Sequence, residues 1–246
     1  MKKLIISLVV LFSIVSSINS QEILTENGSW FTLTNNITIT EKWYVSSALQ
    51  MRRVNFVKNI GANLFKPSLN YKINKRVSFG MGYVLFNSHP NGVNPASIKK
   101  GEERIWQHIT FNSNLGKSKL SNRFVFEERF KDVINKNVQP NKIDGSTYAQ
   151  RFRYRLLLSF NTFKLNNGKF LLAKISNEIR IRFGTGLSQP DFDQNNFGAY
   201  LGFKLLENSK IWLGYGRDYY KSNAAKFISN DILHLGLSYD INLIKK

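Results

Sequence analysis

Cysteine is absent from the 246 residues, which excludes disulfides and thiolate metal sites. Histidine is almost absent: His89, His108 and His234 lie far apart, too scattered in sequence to suggest a metal centre. After the first twenty residues no apolar run is long enough to cross a bilayer as a helix. Only 5 prolines occur, and no G-x-S-x-G nucleophile elbow is found. Acidic residues number 16 against 35 lysines and arginines, a net charge of +19. These deficits leave no catalytic residues, metal ligands or cofactor site to nominate, and an enzyme is not the expected reading.

The amino terminus has a charged start and a short apolar core. Lys2 and Lys3 precede an apolar run from Leu4 to Val15, and small or polar residues follow to Ser20. This is the pattern of a secretory signal peptide over residues 1–20, with cleavage expected between Ser20 and Gln21 and a single domain over 21–246. Export argues against nucleic acid as the partner of so basic a chain. Lipopolysaccharide phosphates and anionic lipid headgroups fit better.

Aromatic residues are plentiful: 19 Phe, 10 Tyr and 4 Trp. The clearest pattern lies in Tyr148–Phe160, YAQRFRYRLLLSF. Arg151, Arg153 and Arg155 fall on one parity; Phe152, Tyr154, Leu156, Leu158 and Phe160 fall on the other. Successive side chains of a strand point to opposite faces, so this segment has one basic and one aromatic–aliphatic face. In a soluble sandwich the apolar face would be core. In an outer-membrane barrel it would meet lipid, and the arginines would line the interior.

Similar alternation marks Trp30–Thr40, Trp43–Val54, Asn63–Ile73, Val77–Leu85, Glu102–Asn112, Leu120–Phe130, Phe170–Phe183, Phe197–Leu205, Ile211–Tyr219 and a last strand through Leu233–Leu243. Asn166-Asn167-Gly168 is a strong hairpin turn. Connections alternate short and long, and many runs reach about ten residues, the length a tilted strand needs to cross a bilayer. The fold class expected is all-β, an antiparallel transmembrane barrel. Eleven runs are clear, but bacterial single-chain barrels have even strand numbers. A short twelfth strand at Glu22–Ser29 is therefore expected, with ten strands as the alternative.

On the charged parity stand Arg104, Arg123, Glu127, Arg129, Arg151, Arg153, Arg155, Glu178, Arg180 and Arg182. If pairing follows hairpin order, Glu127 and Glu178 flank the arginine strand. Two readings stay open: an interior salt-bridge network that braces or plugs the barrel, and an anion-attracting constriction. Gly80-Met-Gly82 and Gly214-Tyr-Gly216 lie within strands and read as space for large neighbours. Lys99, Lys100, Lys131, Lys136, Lys142, Lys221 and Lys226 fall in expected outer loops, where they could meet lipopolysaccharide phosphates.

The last strand carries His234, Gly236, Tyr239 and Ile241, which resembles the C-terminal signal read by the barrel-insertion machinery, although Leu243-Ile-Lys-Lys follows in place of a terminal Phe. Gly28-Ser-Trp30, Gln50-Met-Arg52, Glu103-Arg-Ile-Trp106-Gln107, Arg123 with Glu127 and Arg129, and Arg151-Phe-Arg153-Tyr-Arg155 occur in that order. Together they resemble a Gram-negative outer-membrane family, domain of unknown function 2490, across nearly all of the mature chain. The resemblance implies an outer-membrane barrel and brings no activity. A monomer with a passive role, structural or as a narrow pore, is the expectation. An outer-membrane enzyme acting on lipid or lipopolysaccharide, and a soluble periplasmic barrel holding a small apolar ligand, are the alternatives.

Overall fold

The structure, a computed structural model, describes residues 22–116, 118–164, 170–184, 186–223 and 226–244. The expected signal peptide and the Asn166-Asn167-Gly168 turn lie outside the described residues. Eleven strands are found among the described residues: β1 (Glu22–Thr38), β2 (Trp43–Val54), β3 (Asn59–Lys72), β4 (Val77–Ser88), β5 (Lys100–Leu115), β6 (Ser118–Asn135), β7 (Lys142–Lys164), β8 (Phe170–Phe183), β9 (Asp191–Leu206), β10 (Ser209–Lys221) and β11 (Lys226–Asn242). Each pairs with its sequence neighbours, and β1 closes on β11 to complete a barrel.

Eleven strands correct the expectation of twelve or ten. Glu22–Ser29 does not form a separate ascending strand. It runs straight into Trp30 as the upper part of β1 and pairs in parallel with β11, from Glu22 opposite Lys226 to Thr38 opposite Asn242. An odd count makes the closing strands parallel, so β1 begins at one end of the barrel and β11 finishes at the other. Every other pairing is antiparallel.

The register fixes the shape. From Leu24, paired residues lead through Ile228, Tyr220, Gln194, Arg180, Arg153, Val125, His108, Gly80, Asn70 and Tyr44 to Thr38, fourteen residues further along β1. With usual strand spacings, that stagger over eleven strands gives a tilt of about 40° and a radius of about 11 Å. A barrel this narrow is largely filled by its own side chains.

Connections at one end run from two to five residues and at the other from four to eleven. The contrast is milder than the sequence suggests because strands continue into expected loops. Between the alternating runs ending at Phe130 and starting at Tyr148, only residues 136–141 leave the sheet. The short turns are held by side chains: Thr40 Oγ1 accepts from the Trp43 amide at 3.0 Å, and Asn74 Oδ1 accepts from the Arg76 and Val77 amides at 2.8 and 2.9 Å.

Polarity is inverted relative to a soluble domain. Leu49, Met51, Leu69, Met81, Leu201 and Leu213 point outward and are exposed, whereas Arg151, Glu127 and Arg153 are buried inside. Within the barrel, Val84, Trp106 and Val125 form a small apolar cluster with Leu64 and Phe86 packed against it, and Ile228 and Ile232 of β11 are buried apart from it. The inner wall alternates small and large. Gly82 lies opposite Trp106, and a Cβ there would come within 2.8 Å of the indole; Gly202 lies opposite Trp212 in the same way.

Candidate functional site

β6, β7 and β8 stand side by side, and their inner parity carries the charge. Across these strands Glu127 faces Arg151, Arg123 faces Arg155, and Arg155 faces Glu178. Like charges this close inside a barrel require acids or bound anions, and the structure supplies acids for most of them. Arg153 donates from Nε to Glu178 Oε1 at 3.1 Å and from Nη2 to both Glu178 oxygens at 2.7 and 2.9 Å; its Nη1 donates to Glu127. Arg151 donates from Nε to Glu127 Oε2 at 2.7 Å and from Nη1 to Asp193 Oδ2 at 2.6 Å. Arg180 donates to Glu178 at 2.8 Å and to Gln194, which in turn donates to Asp218.

The belt continues through Arg129, whose Nη1 lies 3.5 Å from Asp193 and whose Nε and Nη2 donate to Glu102 at 2.5 and 3.1 Å. Arg104 donates to the same Glu102 at 2.7 Å. Arg182 donates to Asp191 at 2.5 Å, and Lys221 bonds that carboxylate at 2.9 and 3.0 Å. Arg182 Nε also lies 3.5 Å from Asp193. Side chains from six of the eleven strands thus form one belt of hydrogen bonds and ion pairs along the inside. Glu127 is 0 % exposed and Arg151 2 %, so the middle of the belt is closed to water.

Two of the sequence-nominated arginines stand apart. The Nε atoms of Arg123 and Arg155 are enclosed and make no hydrogen bond among the described residues. Arg123 instead lies 5.1 Å from the Trp106 ring, which Lys66 Nζ also approaches at 4.1 Å. The ten nominated residues all project inward. Eight join the belt, and Arg123 with Arg155 form a cationic layer towards the short-turn end.

Sequence reasoning missed Glu102, Asp191, Asp193, Gln194 and Asp218 as belt members. Glu102 shares parity with Arg104, so that signal was present. Asp191 and Asp193 sit ahead of the run at Phe197, where a register irregularity between Arg180 and Ile181 breaks the alternation.

The histidines are engaged as ordinary polar residues. His108 Nε2 bonds Asn70 Oδ1 at 2.9 Å, its Nδ1 bonds Thr110 Oγ1 at 3.1 Å, and its ring stacks on Trp106. His234 bonds Thr32 at 3.0 Å, and His89 lies at the loop end, 3.5 Å from Asn63. Among the described residues no group of three or more His, Asp or Glu side chains could hold a metal ion. Lys131 and Lys221, expected in outer loops, belong to β6 and β10 and line a cavity of about 560 Å³ above the belt, at the long-loop end.

On the outer surface, polar residues gather at that same end. Tyr148 donates to Glu128 at 2.9 Å, Tyr83 donates to Glu103, and Asp231 accepts from Tyr215 and, at 2.9 Å, from Arg217. Below them the outer face is apolar. A groove of about 850 Å³ crosses it where β1 meets its neighbours, lined by Phe31, Leu49, Phe65, Leu85, Leu235 and Leu237 among others.

A family model described as a protein of unknown function (DUF2490) matches residues 27–228. No curated protein and no solved structure matches the chain.

Proposed function

The chain belongs to the DUF2490 family, and from that premise we propose that it is an integral outer-membrane β-barrel of a Gram-negative bacterium, braced shut by its interior charges and not an open pore. The observation that carries this reading is the inverted polarity: Phe152 and Leu156 are 37 % and 38 % exposed on the strand whose Arg151 is 2 % exposed. A soluble barrel of this kind would present most of its aliphatic and aromatic side chains to water. On β4 the apolar outer positions run from Val77 to Leu85, and on β11 from Leu233 to Ile241. At the tilt above, eight residue steps cover about 20 Å, close to the apolar band of outer-membrane barrels.

The polar tyrosine–carboxylate pairs mark the upper edge of that band, where amphipathic rings sit at headgroup level. Long connections then face outward and short turns face the periplasm. Residues 1–20 act as the export signal, and Gly236, Tyr239 and Ile241 present the last strand to the insertion machinery. The barrel works as a monomer in contact with outer-membrane lipid and lipopolysaccharide.

The bracing reading takes precedence over the pore because Glu127, Arg151 and Trp106 fill the centre with almost no exposure. A passive role follows more readily than catalysis, since both nitrogens of His108 are held by Asn70 and Thr110. Cell fractionation tests the location. The protein should sediment with outer membranes and need detergent for release. Recovery in the periplasmic extract without detergent would overturn the proposal. Planar-bilayer recording tests the bracing: no steady single-channel current is expected from the purified barrel.

A further inference from the structure

Above the belt, at the long-loop end, the barrel opens into the cavity of about 560 Å³. Its lining includes seven arginines and three lysines but only two glutamates and two aspartates. Glu127, Glu178 and Asp191, just beyond the lining, pair with some of these cations, and a surplus of positive charge still remains.

The surplus converges on three guanidinium groups from separate strands. Arg52, on β2, has no ion pair among the described residues; its Nε donates to Gln50 at 2.7 Å, and its Cζ lies 3.9 Å from the centre of the Trp30 ring. Arg52 lines the same cavity as Arg104 on β5, Arg180 on β8 and the Asp218 carboxylate on β10, which already accepts from Gln194. Arg104 spends only its Nε on Glu102, and Arg180 spends its Nε and Nη1 on Glu178 and Gln194. Both Nη groups of Arg52 and of Arg104, and Nη2 of Arg180, make no hydrogen bond among the described residues. The aromatic ring of Phe86 packs against Arg52 and Arg104 at 5.6 and 5.2 Å, which holds their planes in place.

The cavity is also roofed. The connection 89–99 folds over its mouth: the Val93 amide donates to Glu26 Oε1 at 3.0 Å, Asn91 donates to the Ile60 carbonyl at 2.8 Å, and Asn94 donates to Ser222. Gly92, at φ 110°, turns the loop inward against Glu26, a backbone shape that favours glycine.

We propose that this vestibule binds a small, water-soluble organic phosphate, its phosphate group held by Arg52, Arg104 and Arg180. Several free, oriented N–H donors from three directions match the oxygens of a phosphate dianion better than a single carboxylate. The volume lies in the range of small-molecule sites and exceeds what a bare phosphate ion fills, so an organic part rests against Phe86 and Tyr220. A lipid-borne phosphate is disfavoured, because the cavity lies inside the barrel and its wall is continuous sheet.

The binding claim depends on the barrel alone; only the side from which ligand enters rests on the proposed membrane orientation. The test is isothermal titration of the purified protein in a neutral detergent with glucose 6-phosphate, inorganic phosphate and glucose. Saturable binding of glucose 6-phosphate is expected, with inorganic phosphate at least tenfold weaker and glucose silent. Arg52→Gln and Arg104→Gln should each weaken glucose 6-phosphate at least tenfold, whereas Lys75→Gln, in the β3–β4 turn, should not change it. Arg52→Lys, which keeps the charge, guards against a folding defect and should fall between. Absence of saturable binding by either phosphate, or binding indifferent to both arginine variants, would overturn the proposal. The outcome is independent of fractionation, so failure here and failure of the membrane reading are distinguishable.

Discussion

Arg153 Nη2 meets both carboxylate oxygens of Glu178, at 2.7 and 2.9 Å, inside the barrel wall. A buried pair of this kind is costly to break and cheap to replace whole, because removing one partner leaves the other charged in a poor dielectric. Glu178→Leu alone should therefore destabilise the folded barrel by about 3–5 kcal/mol, while Arg153→Met with Glu178→Leu should recover a large part of that loss. Denaturant unfolding of the barrel in detergent would measure both. Arg180 also donates to Glu178, at 2.8 Å, and Arg153 also donates to Glu127, so the double variant leaves Arg180 and Glu127 each short of one partner and recovery should be incomplete.

The same belt predicts electrical silence, and its failure should be local. Trp106 is 2 % exposed and lies beneath both Lys66 and Arg123. Trp106→Ala removes the largest fully enclosed side chain among the described residues and leaves two cations facing a gap of several water volumes. In planar bilayers the parent protein should give no steady current, and Trp106→Ala should give small, anion-selective steps. A large current from the parent would show that the interior is open and the bracing account wrong.

Much of this was legible in the sequence because the period of a strand is two. Phe152, Tyr154 and Leu156 against Arg151, Arg153 and Arg155 displayed both faces of β7 without any structure, and the place of Glu127 and Glu178 beside the arginine strand followed from hairpin order. The strand count was not legible. Whether Glu22–Ser29 is a separate strand or the start of β1 depends on its partner, and that partner is β11, about two hundred residues away. Nor was the contribution of Asp191 and Asp193, since the register irregularity beside Ile181 hides their side of the sheet. Alternation reports which face a residue takes; it is silent on which distant residue meets it there.

Gly82 predicts a steric dependence on one neighbour. A Cβ at this position would meet the Trp106 indole at 2.8 Å, and the Pro67 carbonyl crowds it from the other side. Gly82→Val should cost about 1–3 kcal/mol or block assembly, as overpacking does in a filled interior. Adding Trp106→Leu relieves one of the two clashes, so the double variant should regain part of the loss in the same unfolding measurement. If Gly82→Val proved neutral, the small–large alternation of the inner wall would not constrain packing as argued.

Parallel closure of β1 on β11 sets the last prediction. Because the strand number is odd, Glu22 lies at the long-loop end and Asn242 at the short-turn end. The chain has no cysteine, so single cysteines can report sidedness without background. Ser97 lies in the 89–99 connection and Glu41 in the turn between β1 and β2, and all three of Glu22, Glu41 and Ser97 are exposed. With a membrane-impermeant maleimide on intact cells, Ser97→Cys and Glu22→Cys should label, and Glu41→Cys should label only after the outer membrane is permeabilised. Leu213→Cys, 56 % exposed on the outer face at mid-strand, should resist the reagent in both conditions if acyl chains cover that face as proposed. Labelling of Glu22→Cys and Glu41→Cys from the same side would contradict the parallel seam, since an even-stranded barrel starts and finishes its chain at one end and a twelfth strand would move Glu22 there.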